Sequence, residues 1–534
     1  MNPHRLRAPS RDGAVLAEPP FSDAEPLLAA NTERLRRWDH DFQGRRASRL
    51  RLMARHQILE KSVDYLASLG LDVPALPETS VPLVVTGHQP ELFHPGVWVK
   101  NFGTATLAKA SGGAALNLVV DNDLPKATAV RVPVRDHNQL RIQRVDFDAW
   151  GGETPYEDLK VVDEEQFAHF ADHVRERLQG EVADPIIDDF WPRVLEQRRN
   201  TRRIGLRFAA ARRSLEASWG LRNFEVPLSA LCETEAFLWF TSHLLTNLPR
   251  FQAIHNSALS RYRALYGIRS KHHPVPALGQ AGDWLEAPFW IWRADEPRRR
   301  PLLIRQLRST MQLRIEGESD PLMEIPLAPD REACCAVEQL LNLPGRRIRL
   351  RSRALTTTMF ARLLLGNLFI HGIGGAKYDE LGDEVMRQFF EMEPPAYLTL
   401  SMTLWLGLGD APASADQLHQ VDRALRDLTY NPDRHLPEPL ATEARTWIEA
   451  KRQAIAAPQV TQHERRERFQ EIRRCNEALQ PVIAETRRQL IQEQARVQRG
   501  LRWNALARNR EYAFVLHSES KYREALAAAA VWPR

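Results

Sequence analysis

The chain has 534 residues, enough for roughly two to four domains with ample core. It is 43% hydrophobic and 26% charged, the balance of a globular protein, and a net charge of +5 is too small at this length to argue for a nucleic-acid partner. Cys232, Cys334, Cys335 and Cys475 show no C-x-x-C spacing, which excludes the usual cysteine zinc site and suggests a reducing cytoplasm. No apolar run approaches the length of a membrane span, and MNPHRLRAPSRDGAVLAEPP lacks a signal-peptide core, so no membrane partner is expected.

Taken in order, residues 1–22 read as an extended arm. Residues 23–80 read as helix, with a stop at Gly70. The stretch LVVTGHQPELFHPGVWVKNFGTATLAK, Leu83 to Lys109, then reads as strand, tight loop and helix. Val81 to Val85 is the apolar, β-branched run of a buried parallel strand. Two prolines keep helix from starting before Pro95, and Val97 to Ala110 has helical spacing. A helix that opens at the end of a parallel strand offers unpaired N–H groups to an anion. Gly87 and Gly96 would let backbone approach it, and His88, Gln89, His94 and Lys100 would add donors or protons. The spacing is neither G-x-G-x-x-G nor a Walker loop, so a turn without a ligand remains a competing reading.

Ala115 to Val120 reads as a second buried strand and completes a βαβ unit. It ends in Asp121-Asn122-Asp123, a candidate site for a metal, a ribose or an amine, and equally a capping turn. Residues 124–150 read as strand and hairpin, 155–220 as amphipathic helix, and FEVPLSAL as a strand entering a helix. In Ile254 to Leu265, helical spacing puts Asn256 and Arg263 on one face, where they could grip a carboxylate or be solvated. FWIWR and PLLIRQL read as a hairpin turning at Asp295 to Pro301, with Arg298 to Arg300 at its solvated tip. From Arg346 the pattern is strand (Ile348 to Leu350), apolar helix (Thr358 to Phe369) and a Gly-rich loop, HGIGGAKYD. Gly374, Gly375, Lys377 and Tyr378 in that loop form a second anion-binding candidate, against a plain helix cap. From about 409 the chain turns helical and rich in Arg, Glu and Gln. Phe469 to Val497 fits heptads, kinked at Pro481, and suits a coiled-coil hairpin or a homodimer seam.

These elements imply an α/β fold: a Rossmann-like parallel-sheet core with helical insertions and a C-terminal helical coiled coil. The expected segments are 1–80 (helical arm), 81–225 (first core half), 226–345 (connecting subdomain), 346–408 (second core half) and 409–534 (coiled coil and tail).

At its two Gly loops the chain resembles the bacillithiol biosynthesis cysteine-adding enzyme family, BshC. Thr86-Gly87-His88-Gln89, Leu92-Phe93, Gly96 and Lys100 stand where that family has T-G-Q-Q, an apolar residue, a Gly and a Lys-bearing helix. Asp121-Asn122-Asp123 stands at its acidic cluster. Leu350-Arg351-Ser352 and Gly374-Gly375-Ala376-Lys377-Tyr378 follow in matching order. His88 replaces a Gln, Ala376 replaces a Pro, and the acidic cluster lacks its His, departures that bear on the substrate. The resemblance implies a cytoplasmic ligase that adds cysteine or a similar amino acid to a small molecule such as glucosamine-malate. The family core is similar to nucleotidylyltransferases and class I synthetases, of whose H-x-G-H loop His94-Pro95-Gly96-Val97 keeps the first His and the Gly. His88-Gln89-Pro90 is also similar to the start of WbqC-like proteins.

In the ligase reading, backbone N–H groups near Gly96 and Gly374-Gly375, with Lys100 or Lys377, hold developing negative charge. His88 or His94 is the general base, and Asp121 or Asp123 orients it or the amine. ATP or another nucleotide with Mg would activate the acid. A second reading is a nucleotide- or sugar-phosphate-binding transferase with Asp121 and Asp123 on a divalent cation. A third is a non-catalytic dimeric scaffold. A metal hydrolase on His88, His94, Asp121 and Asp123 is the last, with spacing that is not diagnostic.

Overall fold

Six short strands form the sheet that carries the cleft. In chain order they are β1 (Val15–Glu18), β2 (Leu83–His88), β3 (Ala114–Val119), β4 (Phe224–Pro227), β5 (Leu368–His371) and β6 (Tyr397–Met402). The computed structural model describes residues 6–137, 139–178, 180–269, 275–327, 332–439, 441–458 and 460–532. The first five residues of the expected arm, and residue 274 of the Trp-rich segment, lie outside them.

The order across the sheet is β1-β6-β5-β2-β3-β4. β1 runs antiparallel to β6, and the other five strands are mutually parallel. Counted from β4, the parallel strands come third, second, first, fourth, fifth. Their progression therefore reverses between β2 and β5. At such a reversal the loops leaving two neighbouring strands diverge and open a crevice beyond their carboxyl ends. β3 and β4 are buried at every position, as parallel strands covered on both faces are, which is why their sequences do not alternate. Helix α1 (Pro95–Ala110) follows β2 and packs on β2, β3 and β6, and helix α2 (Ile373–Phe389) joins β5 to β6.

A second, antiparallel sheet runs Met323–Pro326, Thr310–Ile315, Glu296–Gln306, Trp284–Arg293, Ile348–Ser352. Ile348–Ser352 thus belongs to this sheet and not to the parallel core. The hairpin between Trp284–Arg293 and Glu296–Gln306 closes tightly, with Arg293 opposite Glu296. Arg298 to Arg300 consequently lie within a strand and not at a solvated tip.

The expected helix Thr358 to Phe369 is two elements. Helix Ala354–Phe360 continues as a π-turn through Leu365, then Gly366 breaks the run and β5 begins at Leu368. Both pieces are buried, and an apolar run alone does not distinguish buried helix from buried strand. The expected Gly-rich loop is also mostly helix: Gly374, Gly375 and Lys377 sit in the first turns of α2, behind an N-cap at Gly372.

The chain divides into two compact units. One comprises the residues up to Val132, Gln143–Leu406 and the tail from Arg510; the other comprises Pro133–Ile142 and Gly407–Asn509. The segments expected at 81–225, 226–345 and 346–408 thus share the first unit, except for Pro133–Ile142 and residues 407–408, and the C-terminal tail joins them. In the second unit, helix Ala415–Tyr430 packs on Ala484–Ala507, and Thr442–Ala456 packs on Gln462–Leu479. The heptad run is not one continuous seam. It breaks between Leu479 and Ala484, around Pro481, and Phe469 is 66% exposed while Leu479, Ile483 and Val497 are buried. Among the described residues, no helix is long and apolar enough to cross a membrane.

Candidate functional site

The loops leaving β2 and β5 border a cleft of about 1190 Å³. Gly87, His88, Gln89, His94, Gly96 and Lys100 line one side, and Gly374, Gly375, Lys377 and Tyr378 another; Asp123 also reaches it. Two stretches nearly 300 residues apart in the chain meet here because β2 and β5 are neighbours, with Phe369 opposite Val85.

His94 caps α1. The Gly96 N–H donates to its Nδ1 at 3.1 Å, so the ring proton resides on Nε2, which faces Glu511 at 3.5 Å. Burial draws the imidazole down to about 4 against the pull of Glu511. With one nitrogen accepting from the backbone and the other protonated, His94 anchors a helix and is not a base. A Cβ at Gly96 would collide with Arg510 Nη2 and the Met402 carbonyl, so only glycine fits there.

His88 is also committed. Nδ1 lies 3.0 Å from the Gln89 carbonyl and Nε2 lies 3.2 Å from Asn101 Oδ1. Asn101 spends its amide N–H on Glu216, so it presents an oxygen to the ring. Burial, then Lys100 and Arg212, hold His88 well below its ordinary value. A neutral ring facing two acceptors has no lone pair turned to the cleft, which removes His88 as the expected general base.

The acidic cluster is likewise spent. Asp121 is buried away from the cleft and accepts from the Ser229 N–H at 2.9 Å and from its hydroxyl. Burial, then Glu157, raise it to about 7. Asp123 accepts from Gln89 Nε2, Arg299 Nη1 and the Leu124 N–H, each at 2.9 Å. The two carboxylates do not converge, and among the described residues no group of three or more His, Cys, Asp or Glu could hold a metal. Asn256 and Arg263 do not reach the cleft wall. Asn256 makes two hydrogen bonds to the Leu278 backbone, and Arg263 donates to the Val275 carbonyl, so their shared helix face grips the chain itself.

What faces the cleft instead is His371, at the end of β5. Its Nε2 meets Asp379 Oδ2 at 2.8 Å. Asp379, in the second turn of α2, also accepts from Thr358 Oγ1 at 2.8 Å and from Arg362. Burial acts to raise the Asp379 carboxyl, but Arg362 and then His371 outweigh it and keep it ionised. Burial lowers His371, so its resting form is the neutral ring with the proton on Nε2. Nδ1 is then the basic nitrogen, and it lies against Gly375: a Cβ there would come within 2.8 Å. Gly375→Ala is expected to displace the ring and lower turnover at least about tenfold, and to lower the melting temperature as well, because the buried ring gives up its Asp379 partner, which outweighs a helix preference of at most about 1 kcal/mol. Turnover and melting measured on one preparation check both effects.

The first turn of α2 has no side-chain cap and no acidic residue, so the N–H groups of Ile373, Gly374 and Gly375 lack helical partners. At α1 the Gly96 N–H is used by His94. The helix start whose N–H groups are left open at the cleft is therefore that of α2. Lys100 lies beside it, 4% exposed, donating to the Gly87 carbonyl at 2.7 Å, with no carboxylate within salt-bridge distance among the described residues. Burial draws its ammonium from 10.5 to about 7. The unfolded chain holds this proton more tightly than the folded one, so between about pH 7 and 10.5 Lys100 makes stability rise with pH. Lys100→Met is expected to be more stable near neutral pH and to lose that rise, read by urea melts across the window. An unchanged slope would mean that the amine is not held in this low state.

Arg299 and Arg353 complete the wall, together with Trp290. The tail contributes Arg510, which donates to the Ser401 hydroxyl and the Met402 carbonyl, each at 2.9 Å. No protein-family model matches the chain, and no curated protein matches it.

Proposed function

We propose that the chain is a carbon–nitrogen ligase with a Rossmann-like core, resembling BshC, that joins cysteine or a similar amino acid to a sugar or other small molecule bearing a carboxylate or amine. It would act in the cytoplasm in the making of a low-molecular-weight thiol or a related compound. The observation that carries this reading is the His371–Asp379 pair packed against the uncapped first turn of α2 in the wall of one cleft. Amide formation needs both parts: a base for an ammonium and a positive cradle for the oxygen of an activated acid.

In this scheme the ammonium gives one proton to His371 Nδ1. The nitrogen lone pair attacks the carbonyl carbon of an acyl-phosphate or adenylate, with the developing oxyanion on the α2 N–H groups and Lys100. The C–N bond forms, the C–O bond to phosphate breaks, and the departing phosphate takes the electron pair and the second proton of the nitrogen. ATP would supply that phosphate with its own Mg. Asp121 and Asp123 are already engaged, so the chain's contribution is N–H groups and cations. The same cradle suits a phosphate, which favours a nucleotide- or sugar-phosphate-binding transferase as the second reading. A homodimer through the second unit is supported by the exposed Phe469 and Ile491 on its helices.

The test is reconstitution read by mass spectrometry: protein, glucosamine-malate and cysteine, with and without ATP and magnesium, beside His371→Ala. A cysteinyl product that needs His371 supports the ligase, and its ATP dependence identifies the activation route. No product from well-folded protein with these or related amine–acid pairs counts against it.

A further inference from the structure

Four imidazoles line the cleft among the described residues, and the account above covers three of them, His88, His94 and His371. The fourth is His255, on the helix Leu248–Tyr266, which packs on α2 and on the strand Trp284–Arg293. Phe251 sits one turn earlier on the same face and stacks on the ring, with centroids 6.2 Å apart and planes 24° apart. Both side chains are buried in this wall of the cleft, His255 at 5% exposure.

The tautomer of this ring is fixed from behind the wall. The Leu278 N–H donates to Asn256 Oδ1 at 2.9 Å, and Asn256 Nδ2 donates to the Leu278 carbonyl at 2.9 Å. Two backbone groups thereby settle which end of the amide is the oxygen. His255 Nδ1 lies 3.2 Å from that oxygen, so Nδ1 carries the proton and donates it. Nε2 keeps the lone pair. It has no hydrogen-bond partner among the described residues and, unlike His243 Nδ1, it is not sealed from solvent. Burial lowers the imidazole against the pull of the Asn256 hydrogen bond, and Arg353 adds to the lowering against Glu286, so the ring is neutral near pH 7.

A neutral imidazole with one nitrogen locked by an amide and the other open has the arrangement of a working base. His88 and His94 give the contrast within the same cleft, since both nitrogens of each ring are engaged. An open acceptor this deep in a wall is costly until a donor meets it.

We infer that His255 is a second ligand-contacting base of the cleft, with Asn256 as its positioning residue, so that the substrate presents a hydroxyl, thiol or neutral amine to Nε2. The inference rests on reading the cleft as a substrate site. It adds to that reading a hydrogen-bearing polar group met by a base other than His371.

The first test needs no substrate. Diethyl pyrocarbonate carbethoxylates the unprotonated nitrogen of an imidazole, and the modified sites of the full chain are mapped by peptide mass spectrometry. His255 is expected to react about tenfold or more faster than His88 and His94. Asn256→Leu lets the ring hold its proton on Nε2 and is expected to slow His255 about threefold or more. Asn256→Asp keeps an acceptor and adds a charge, so it keeps the reaction and moves its pH midpoint upward. A side chain that only braced Leu278 would leave that midpoint in place, and Asn256→Asp carries the comparison if Asn256→Leu does not fold. Glucosamine-malate, cysteine, and ATP with magnesium are then each titrated calorimetrically into the wild-type chain and into His255→Leu. The component that meets Nε2 is expected to bind the variant about three- to tenfold more weakly. The inference is overturned if His255 resists the reagent as His88 does, or if every component that binds the wild-type chain binds His255→Leu equally well. If none binds, the ligase reading fails, and the carbethoxylation decides His255 on its own.

Discussion

Asp379→Asn is expected to reduce turnover about 10²- to 10⁴-fold, the range set by general-base catalysis. Three donors converge on this carboxylate: His371 Nε2, Thr358 Oγ1 and Arg362 Nη1. An asparagine can turn its NH₂ toward His371, which moves the ring proton to Nδ1 and removes the basic nitrogen from the cleft. The change also takes a charge from Arg362, whose side chain is 1% exposed and which keeps Asp383 as its second partner. Partial unpairing of a buried arginine costs up to about 3 kcal/mol. His371→Ala loses the base without unpairing Arg362, so it should match the first variant in turnover and exceed it in stability. Turnover by mass spectrometry and unfolding by urea separate the two effects. Full activity in Asp379→Asn would remove the pair from the chemistry.

The second large effect is on stability, at a site beneath the cleft. Arg212 lies between Glu216 and Glu225, with side chains 3%, 0% and 0% exposed. Trp98 and Asn101 donate to Glu216, and Asn117 donates to Glu225. Arg212→Met leaves two carboxylates buried without their cation, at a cost of about 3–5 kcal/mol. Burial already raises the Glu225 carboxyl above its ordinary 4.5, against the pull of Arg212. Without that pull it rises further, so the folded variant takes up a proton more readily than the unfolded chain. Stability should then recover as pH falls from neutral toward the ordinary carboxylate range. Urea melts of both proteins over that range test this; a loss that stays constant with pH would show the carboxylates are not the cause. Because Asn101 links Glu216 to His88, the variant should also loosen the loop after β2.

The unit β2–α1–β3 was legible because its punctuation is local. Two prolines fix where the helix starts, but the expected strand break at Thr86-Gly87 does not occur: β2 runs through both residues to His88, still paired with β3. β5 was hidden inside a mostly apolar run in which Gly366-Asn367 marks the end of the helical piece. The His371–Asp379 pair carries no periodic signal, since one residue ends a strand and the other lies in the following helix, eight positions on. Arg299 was misplaced because a cluster of arginines reads as a solvated turn, whereas the two-residue turn at Ala294-Asp295 leaves it in the strand. Asn256 and Arg263 show the opposite limit. Helical spacing states which residues share a face, but not that the backbone at Val275 and Leu278 covers it.

The tail has a consequence for timing. Phe514 donates its N–H to the Phe93 carbonyl at 2.7 Å, Tyr522 stacks on Trp98 at 5.0 Å, and Arg510 and Glu511 border the cleft. These residues leave the ribosome only after the whole stretch Gly407–Asn509 has been made. A nascent chain that already carries β2, β5 and both helices still lacks the segment that pins α1, so it holds an unfinished pocket. The wall of the cleft is thereby completed only after translation has passed Gly407–Asn509.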